Sequence, residues 1–472
     1  MGRRAQAGTG AAAAGFAAVA IAGNPAAAGL GLLALTALVI AYQRPYLLGP
    51  FVLLLLPAGE RIHILGAQVA PLEAVVGGGA IGYLARLAMR RERLRIRWAD
   101  WAFAALVACM ALSVFGPVDN SDRVRDLLFW GALGIVSHAC SAHLDTRRDL
   151  KLILVALSVS TLVEASWALF EYLDGWSERF SLLGGAIVYP LPNGTLGHPN
   201  ALAQFLVLAV LAVLALALGE AGAPRRLGFL AAGAGSLALV VTFSRGAWIA
   251  LAVGASVYLV ERRTRVPVLF AGALVVVGAA ALALLEAGAI GARISSLFRG
   301  ETGELYEFRF ELVGRAARIV ASHPLTGSGH FEEVGVYAGR PDLATHPHNL
   351  FLGLAVFFGI PAAVAFGALV VLALRAAWKG FRIRTGAQRL TAVGFLALLS
   401  AFLVNGLLEY PFWNTSLTVL VVLVLAVAVT LDRQAPPGPS LRQTSFEKES
   451  KRGKEKGVES GPRRAGIHRT DL

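Results

Sequence analysis

Charge is what this chain has least of. Asp, Glu, Lys and Arg together make up 15% of its 472 residues, where a soluble domain uses roughly 25% to cover its surface. That deficit excludes a water-soluble globule. Cysteine is scarce too. Cys109 and Cys140 are the only two, and both fall inside apolar stretches, which argues against a disulfide-stapled scaffold. Also missing is the apolar–polar alternation of an outer-membrane strand.

What fills the chain is apolar sequence: 56% of residues are hydrophobic and the mean hydropathy is +0.64. The apolar runs fall at about 11–23, 27–42, 46–58, 69–88, 99–116, 126–143, 150–172, 198–219, 226–243, 246–260, 266–287, 347–374, 390–408 and 413–431. Many reach the roughly 17–25 residues that carry a helix across a bilayer, and only a helix pairs its own backbone groups in lipid. The expected fold class is an all-α polytopic membrane protein with 12–14 transmembrane helices. Met1-Gly2-Arg3-Arg4 and the Ala-rich run after it resemble a secretory signal, and read here as a first, uncleaved span.

Orientation comes from the basic loops. Arg86–Arg97, Arg147-Arg148, Arg225-Arg226, Arg262–Arg265, Arg375–Arg389 and the C-terminal Lys448–Lys454 all land on one side of the predicted spans. The positive-inside rule makes that side cytoplasmic, with both termini on it. The net charge of +13 then reflects topology, not nucleic acid. The chain divides into N-terminal helices over 1–190, a second membrane region over 191–431, and a basic tail over 432–472 whose polar composition predicts disorder. One large external loop, 288–346, is of a length more often functional than spacing.

Several external residues can carry chemistry. Arg245 lies in a tight turn, Ser244-Arg245-Gly246, on the face opposite the basic clusters. It suits headgroup snorkelling and equally a fixed cation for an anionic substrate, with Gly246 permitting close approach. Within the long loop, apolar positions 312, 313, 316, 317 and 320 have helical spacing and predict an amphipathic helix. Arg309 lies at its start. Arg315 follows Glu311 by four residues, a spacing that serves as a surface ion pair or as a substrate contact. Arg318 lies on another face. Thr345-His346-Pro347-His348-Asn349 opens the next span, with Thr345 or His346 as N-cap and Pro347 in the first turn. A helix start of this kind favours anions, and His348 can act there as base or donor. His198 and Asn200 head an earlier span in the same manner. No compact Asp/Glu/Cys set accompanies the two histidines, so metal is not expected.

These pieces, in order, resemble the O-antigen ligase family of membrane glycosyltransferases. The likeness lies in Gly197-His198-Pro199-Asn200, in Ser244-Arg245-Gly246, in Arg309 ahead of Pro324-Leu325-Thr326-Gly327-Ser328-Gly329, and in His348-Asn349 followed by Gly359. It covers roughly residues 190–410. The resemblance implies a polyprenyl (undecaprenyl) diphosphate-linked glycan as donor and an acceptor hydroxyl, as in O-antigen ligation to lipid A-core. It implies no cofactor, and a multi-pass place in the cell inner membrane with the site facing the periplasm. Arg245, Arg309 and His348 are then the catalytic candidates. His198, Asn200, His346, Asn349, Arg315 and Arg318 are the substrate-binding candidates. A polysaccharide polymerase or a protein O-oligosaccharyltransferase would share the donor. A small-anion transporter is the reading from another class, disfavoured because Glu164 and Glu286 sit toward the outer ends of their spans and mid-span charge is sparse.

Overall fold

The computed structural model describes residues 25–58, 62–64, 67–92, 94, 96–116, 120–144, 147–174, 178–182, 187–285, 303–331, 334, 336–337, 340–344 and 346–430. The predicted span 11–23, Glu286, Thr345 and the tail 432–472 lie outside these residues.

The first helices are α1 (Pro25–Gln43), the short α2 (Leu48–Leu54), α3 (Pro71–Arg90), α4 (Trp98–Ala111), α5 (Asn120–Ala142) and α6 (Arg147–Asp174). Next come α7 (Pro199–Ala217), α8 (Gly222–Val241), α9 (Arg245–Tyr258), α10 (Arg262–Leu285) and the loop helix α11 (Gly303–Ser322). The last four are α12 (Leu350–Phe358), α13 (Ile360–Ile383), α14 (Gly386–Leu408) and α15 (Thr415–Thr430). Seven of the described helices are long and apolar enough to cross a membrane. The chain is a helical, multi-pass membrane protein.

Two predicted spans take a different form. Residues 46–58 are α2 flanked by 3-10 turns at Pro45–Leu47 and Leu56–Ala58. The run 347–374 is broken into α12 and α13 at Gly359, whose φ of 89° no ordinary helix residue adopts. The connecting segments also hold strands that helical periodicity did not foretell. They form three antiparallel hairpins: β1 (Ile62–Ile64) with β2 (Ala67–Val69), β3 (Glu178–Leu182) with β4 (Ile187–Leu191), and β5 (Val336–Tyr337) with β6 (Arg340–Ala344).

Helices that are apolar all round belong in the interior, and α7 and α15 are buried along nearly their whole lengths. Elsewhere small residues set the spacing. Side chains at Gly78 or Gly82 of α3 would collide with the α1 backbone at Ala34 and Leu38, so this four-residue glycine repeat lets the two helices touch. Both cysteines are free thiols.

The basic loops gather at one end of the bundle. Arg86 Nη1 donates to the Tyr42 carbonyl at 2.8 Å, Arg97 Nη1 to Ser141 Oγ at 2.8 Å, and Arg389 Nε to Glu261 Oε2 at 2.6 Å. The starts of α5, α7, α9, α12 and α15 lie at the opposite end, where the candidate residues meet.

Candidate active site

The first wall is the start of α7. Gly197 turns the chain with φ 72°, and His198 is the N-cap, its Nδ1 accepting the Asn200 backbone N–H at 3.1 Å. Pro199 fills the first helical position, where a missing N–H costs nothing. This leaves the Asn200 amide aimed inward, and its Nδ2 donates to Glu409 Oε1 at 3.2 Å.

The start of α12 supplies the second wall, by a different route from the one expected. The N-cap is Asn349, whose Oδ1 accepts the Leu352 N–H at 3.0 Å, so Pro347 stands outside the helix. His346 turns inward instead of capping, and its Nδ1 accepts the His348 backbone N–H at 3.2 Å. His348 is held at φ 47°, an uncommon backbone for a residue with a Cβ. Its imidazole Nδ1 then lies 2.8 Å from Glu409 Oε2.

Glu409 is the hub, and the sequence reading missed it. It follows the last residue of α14 in extended conformation, with its side chain only 6% exposed. Arg309 of α11 reaches the same carboxylate, Nη2 to Oε1 at 3.4 Å. Burial pushes the Glu409 carboxyl upward, but the His348 hydrogen bond and the Arg309 guanidinium outweigh it and hold the group below the ordinary carboxylate range. An ionised carboxylate only accepts, so His348 Nδ1–H donates to it. The lone pair of the neutral ring is then on Nε2, where a base needs it. Burial, reinforced by neighbouring His348, lowers His346 to about 3, so that ring is neutral. One sequence signal for Glu409 existed: it is the only acid between Asp342 and Asp432.

Two distant motif pieces interlock to fix these walls. The turn Pro324–Gly329 docks on the break between α12 and α13. Ser328 N–H donates to the Val356 carbonyl at 2.7 Å, and Ile360 N–H to the Pro324 carbonyl at 2.8 Å. Gly327 at φ 65° and Gly359 at φ 89° lie so close to the opposing backbone that any Cβ would strike it. From beneath, the buried Arg123 of α5 donates to the Ser328 and Ser113 carbonyls. This clamp seats α11 against α12: Leu312, Ala316 and Ile319 bury with Val334 and Val356. The buried face of α11 therefore includes 319, while Val313, expected to pack, is 40% exposed.

The remaining candidates separate. Arg245 is the first residue of α9, just after Phe243 at φ 54°. Gly246 packs against the Leu408 side chain, so that glycine serves a helix contact and brings the start of α9 to the end of α14. Arg315 pairs with Glu311 at 2.5 Å, and Arg318 is exposed on α11. Asn349 Nδ2 reaches the Leu407 carbonyl at 3.4 Å. His346, His348 and Glu409 each offer a ligand atom, all within 4.8 Å of one another, a donor set of the kind that binds zinc. Here both Nδ1 atoms are already engaged in hydrogen bonds, and the carboxylate holds His348 on Oε2 and the Arg309 guanidinium on Oε1.

A sequence model of a known family, described as O-antigen ligase, matches residues 229–367. Over this stretch the chain is similar to the O-antigen ligase family. The matched stretch carries Arg245, Arg309, the Pro324–Gly329 turn, His346, His348 and Gly359. It stops short of Asn200 on one side and Glu409 on the other, and the fold brings both to the ligase-family residues. Neither the search of curated proteins nor that of solved structures finds a match. Members of the O-antigen ligase family are membrane glycosyltransferases of the ligase and polymerase type.

Proposed function

We propose that the protein transfers a glycan from a polyprenyl (undecaprenyl) diphosphate donor to an acceptor hydroxyl, in the manner of O-antigen ligation to lipid A-core. The observation that carries this is one buried carboxylate, Glu409, shared by the imidazole of His348 and the guanidinium of Arg309. In the reaction the acceptor O–H attacks the anomeric carbon, the bond to the diphosphate breaks, and the hydroxyl proton passes to His348 Nε2. Glu409 orients that ring and stabilises the imidazolium as it forms. Charge builds on the departing diphosphate, and preorganised cations at its position lower the barrier. Arg309 takes this role in the proposal, together with Arg245; a planar fork holds phosphate oxygens at two points, which an ammonium does not. His198, Asn200, His346 and Asn349 shape the walls. Arg315 and Arg318 are left to loop packing and lipid headgroups.

The proposed setting is a cell inner membrane crossed 12–14 times, with both termini cytoplasmic and the site at the periplasmic end. The grouping of the basic loops at the other end of the bundle supports that orientation. No metal takes part in the step, and washing the protein with EDTA should leave the rate unchanged.

The test uses protein in liposomes with purified lipid-linked glycan. Transfer to lipid A-core supports ligation, and transfer to a second lipid-linked glycan makes the enzyme a polymerase. His348→Ala and Arg309→Ala should abolish transfer while membrane insertion stays intact. Normal transfer by both variants overturns the assignment.

A further inference from the structure

The cluster around His348 has two unlike sides. Toward α11 and the start of α9 the groups are cationic: Arg309 and Arg245. On the far side of His346 lies a cavity of about 450 Å³ whose walls are aromatic and acidic. Tyr410, Trp413 and Phe331 line it, and Glu73 and Asp126 carry its charge together with Arg125. The His346 ring is the partition. Its centroid lies 4.4 Å from that of His348 on the site side, and its plane is nearly parallel to Trp413 at 6.2 Å on the cavity side.

Each candidate occupant makes different demands on such walls. A diphosphate would face the Asp126 carboxylate, and Arg125, the guanidinium in the wall, is already paired with Glu73, so the wall carries no net cation to hold it. A lipid tail would bury Asp126 and the Glu73–Arg125 pair, closed at 2.6 Å, against hydrocarbon, which costs several kcal/mol. A sugar fits both features: its C–H faces lie on aromatic rings while carboxylates accept from its hydroxyls. The indole Nε1–H of Trp413 is buried without a hydrogen-bond partner, a donor suited to a ring or hydroxyl oxygen. The volume falls in the range of about 300–1,000 Å³ usual for small-ligand sites.

We propose that this cavity binds the terminal sugar of the acceptor glycan and presents its hydroxyl past His346 to His348, while the donor diphosphate occupies the arginine side. The proposal rests on the glycosyltransferase reading above and assigns its two substrates to opposite sides of one imidazole pair. Asp126, Glu73 and Trp413 become acceptor-binding residues.

The test measures apparent KM for each substrate separately in Asp126→Asn, Glu73→Gln and Trp413→Phe. Losing one hydrogen bond to a charged or buried partner should raise the acceptor KM about tenfold to a hundredfold, with the donor KM within about twofold of wild type. The retained donor KM shows that each variant is folded. A raised donor KM with an unchanged acceptor KM overturns the proposal, and so does no change in either. A lipid-free acceptor oligosaccharide separates sugar from lipid tail: its KM must rise as well, and an effect confined to lipid-anchored acceptor places the tail in the cavity and overturns the proposal. If the wild type transfers nothing, the glycosyltransferase reading fails by itself. Saturation-transfer NMR of the free oligosaccharide then decides the cavity: binding lost in Asp126→Asn sustains it, and equal or absent binding ends it.

Discussion

Two helix starts in this chain are built from the same His-Pro pair, and they fold differently. At His198-Pro199 the histidine caps the helix and the proline sits in its first turn, the arrangement the sequence predicts. At His346-Pro347 neither residue does so. His346 packs among Tyr410, Trp413 and Phe331, and the helix begins three residues later under an Asn349 cap. The residue between, His348, adopts φ 47°, a backbone that costs on the order of 1–3 kcal/mol in a side-chain-bearing residue. The surroundings over-determine it: its N–H is taken by His346 and its ring by Glu409. In one start an imidazole satisfies a helix; in the other a helix retreats so that an imidazole can face a carboxylate. Strain marks the start to which the proposed chemistry belongs.

The largest effects should break that pairing. His348→Ala and Glu409→Gln should each lower kcat by about 10²–10⁴, the usual worth of a positioned acid–base group. His198→Asn keeps a competent cap and should stay within about tenfold of wild type. Steady-state transfer in liposomes measures all three, and an equal loss at His198 would dissolve the distinction between the two starts. Next comes Arg309. Arg309→Ala removes a cation from the leaving group and should cost about 10²–10³ in kcat, and Arg309→Lys should recover only part of it because a point charge lacks the fork. Full recovery by Lys would leave charge alone as its contribution.

How much of this was legible without coordinates depended on distance along the chain. The helical, multi-pass character was plain because lipid demands long apolar helices, and His198-Pro199-Asn200 was plain because capping is local. Arg309 and His348 stood out as polar groups in unusual places. Glu409 did not, because a single acid at the end of a span has no local partner; His348 and Asn200 reach it from 61 and 209 residues away. The clamp of Pro324–Gly329 on Gly359 was hidden for the same reason, with each half reading as an ordinary turn. Pro347 misled because a proline near a helix start suggests the first turn, and only the inward rotation of His346 moves that start.

A smaller effect sharpens the comparison in stability. Asn349→Ala removes the α12 cap and should cost about 1 kcal/mol, and His198→Ala should cost α7 a similar amount. Scanning fluorimetry in detergent reads both. The activity outcomes should diverge where the stabilities agree, since the α12 start carries His348. Parallel losses of activity and stability in both variants would reduce the contrast to helix capping.

The smallest effect concerns pH and the contribution of His346 to it. Its folded pKa is about 3 against an ordinary 6.5, chiefly because burial disfavours the charged ring. Below pH 6.5 the unfolded chain takes up a proton that the folded chain refuses. The stability carried by the neutral ring is therefore complete above 6.5 and is lost as pH falls from there toward 3. The slope approaches about 1.4 kcal/mol per pH unit well inside that window, but at pH 6 the loss is still under about 1 kcal/mol. Glu409, with its carboxyl depressed, contributes stability that disappears only below the ordinary carboxylate range, so between pH 7.5 and 5.5 the difference between wild type and a His346 variant reads the imidazole and not that carboxylate. His346→Phe should flatten that part of the profile, measured by thermal unfolding in detergent. His198, whose Nδ1 caps a helix at the protein surface, offers the contrasting substitution: His198→Asn should leave the acid slope in place. If the slope survives His346→Phe, the inner histidine is not buried as a neutral ring, and the partition between the two substrate sides loses its wall.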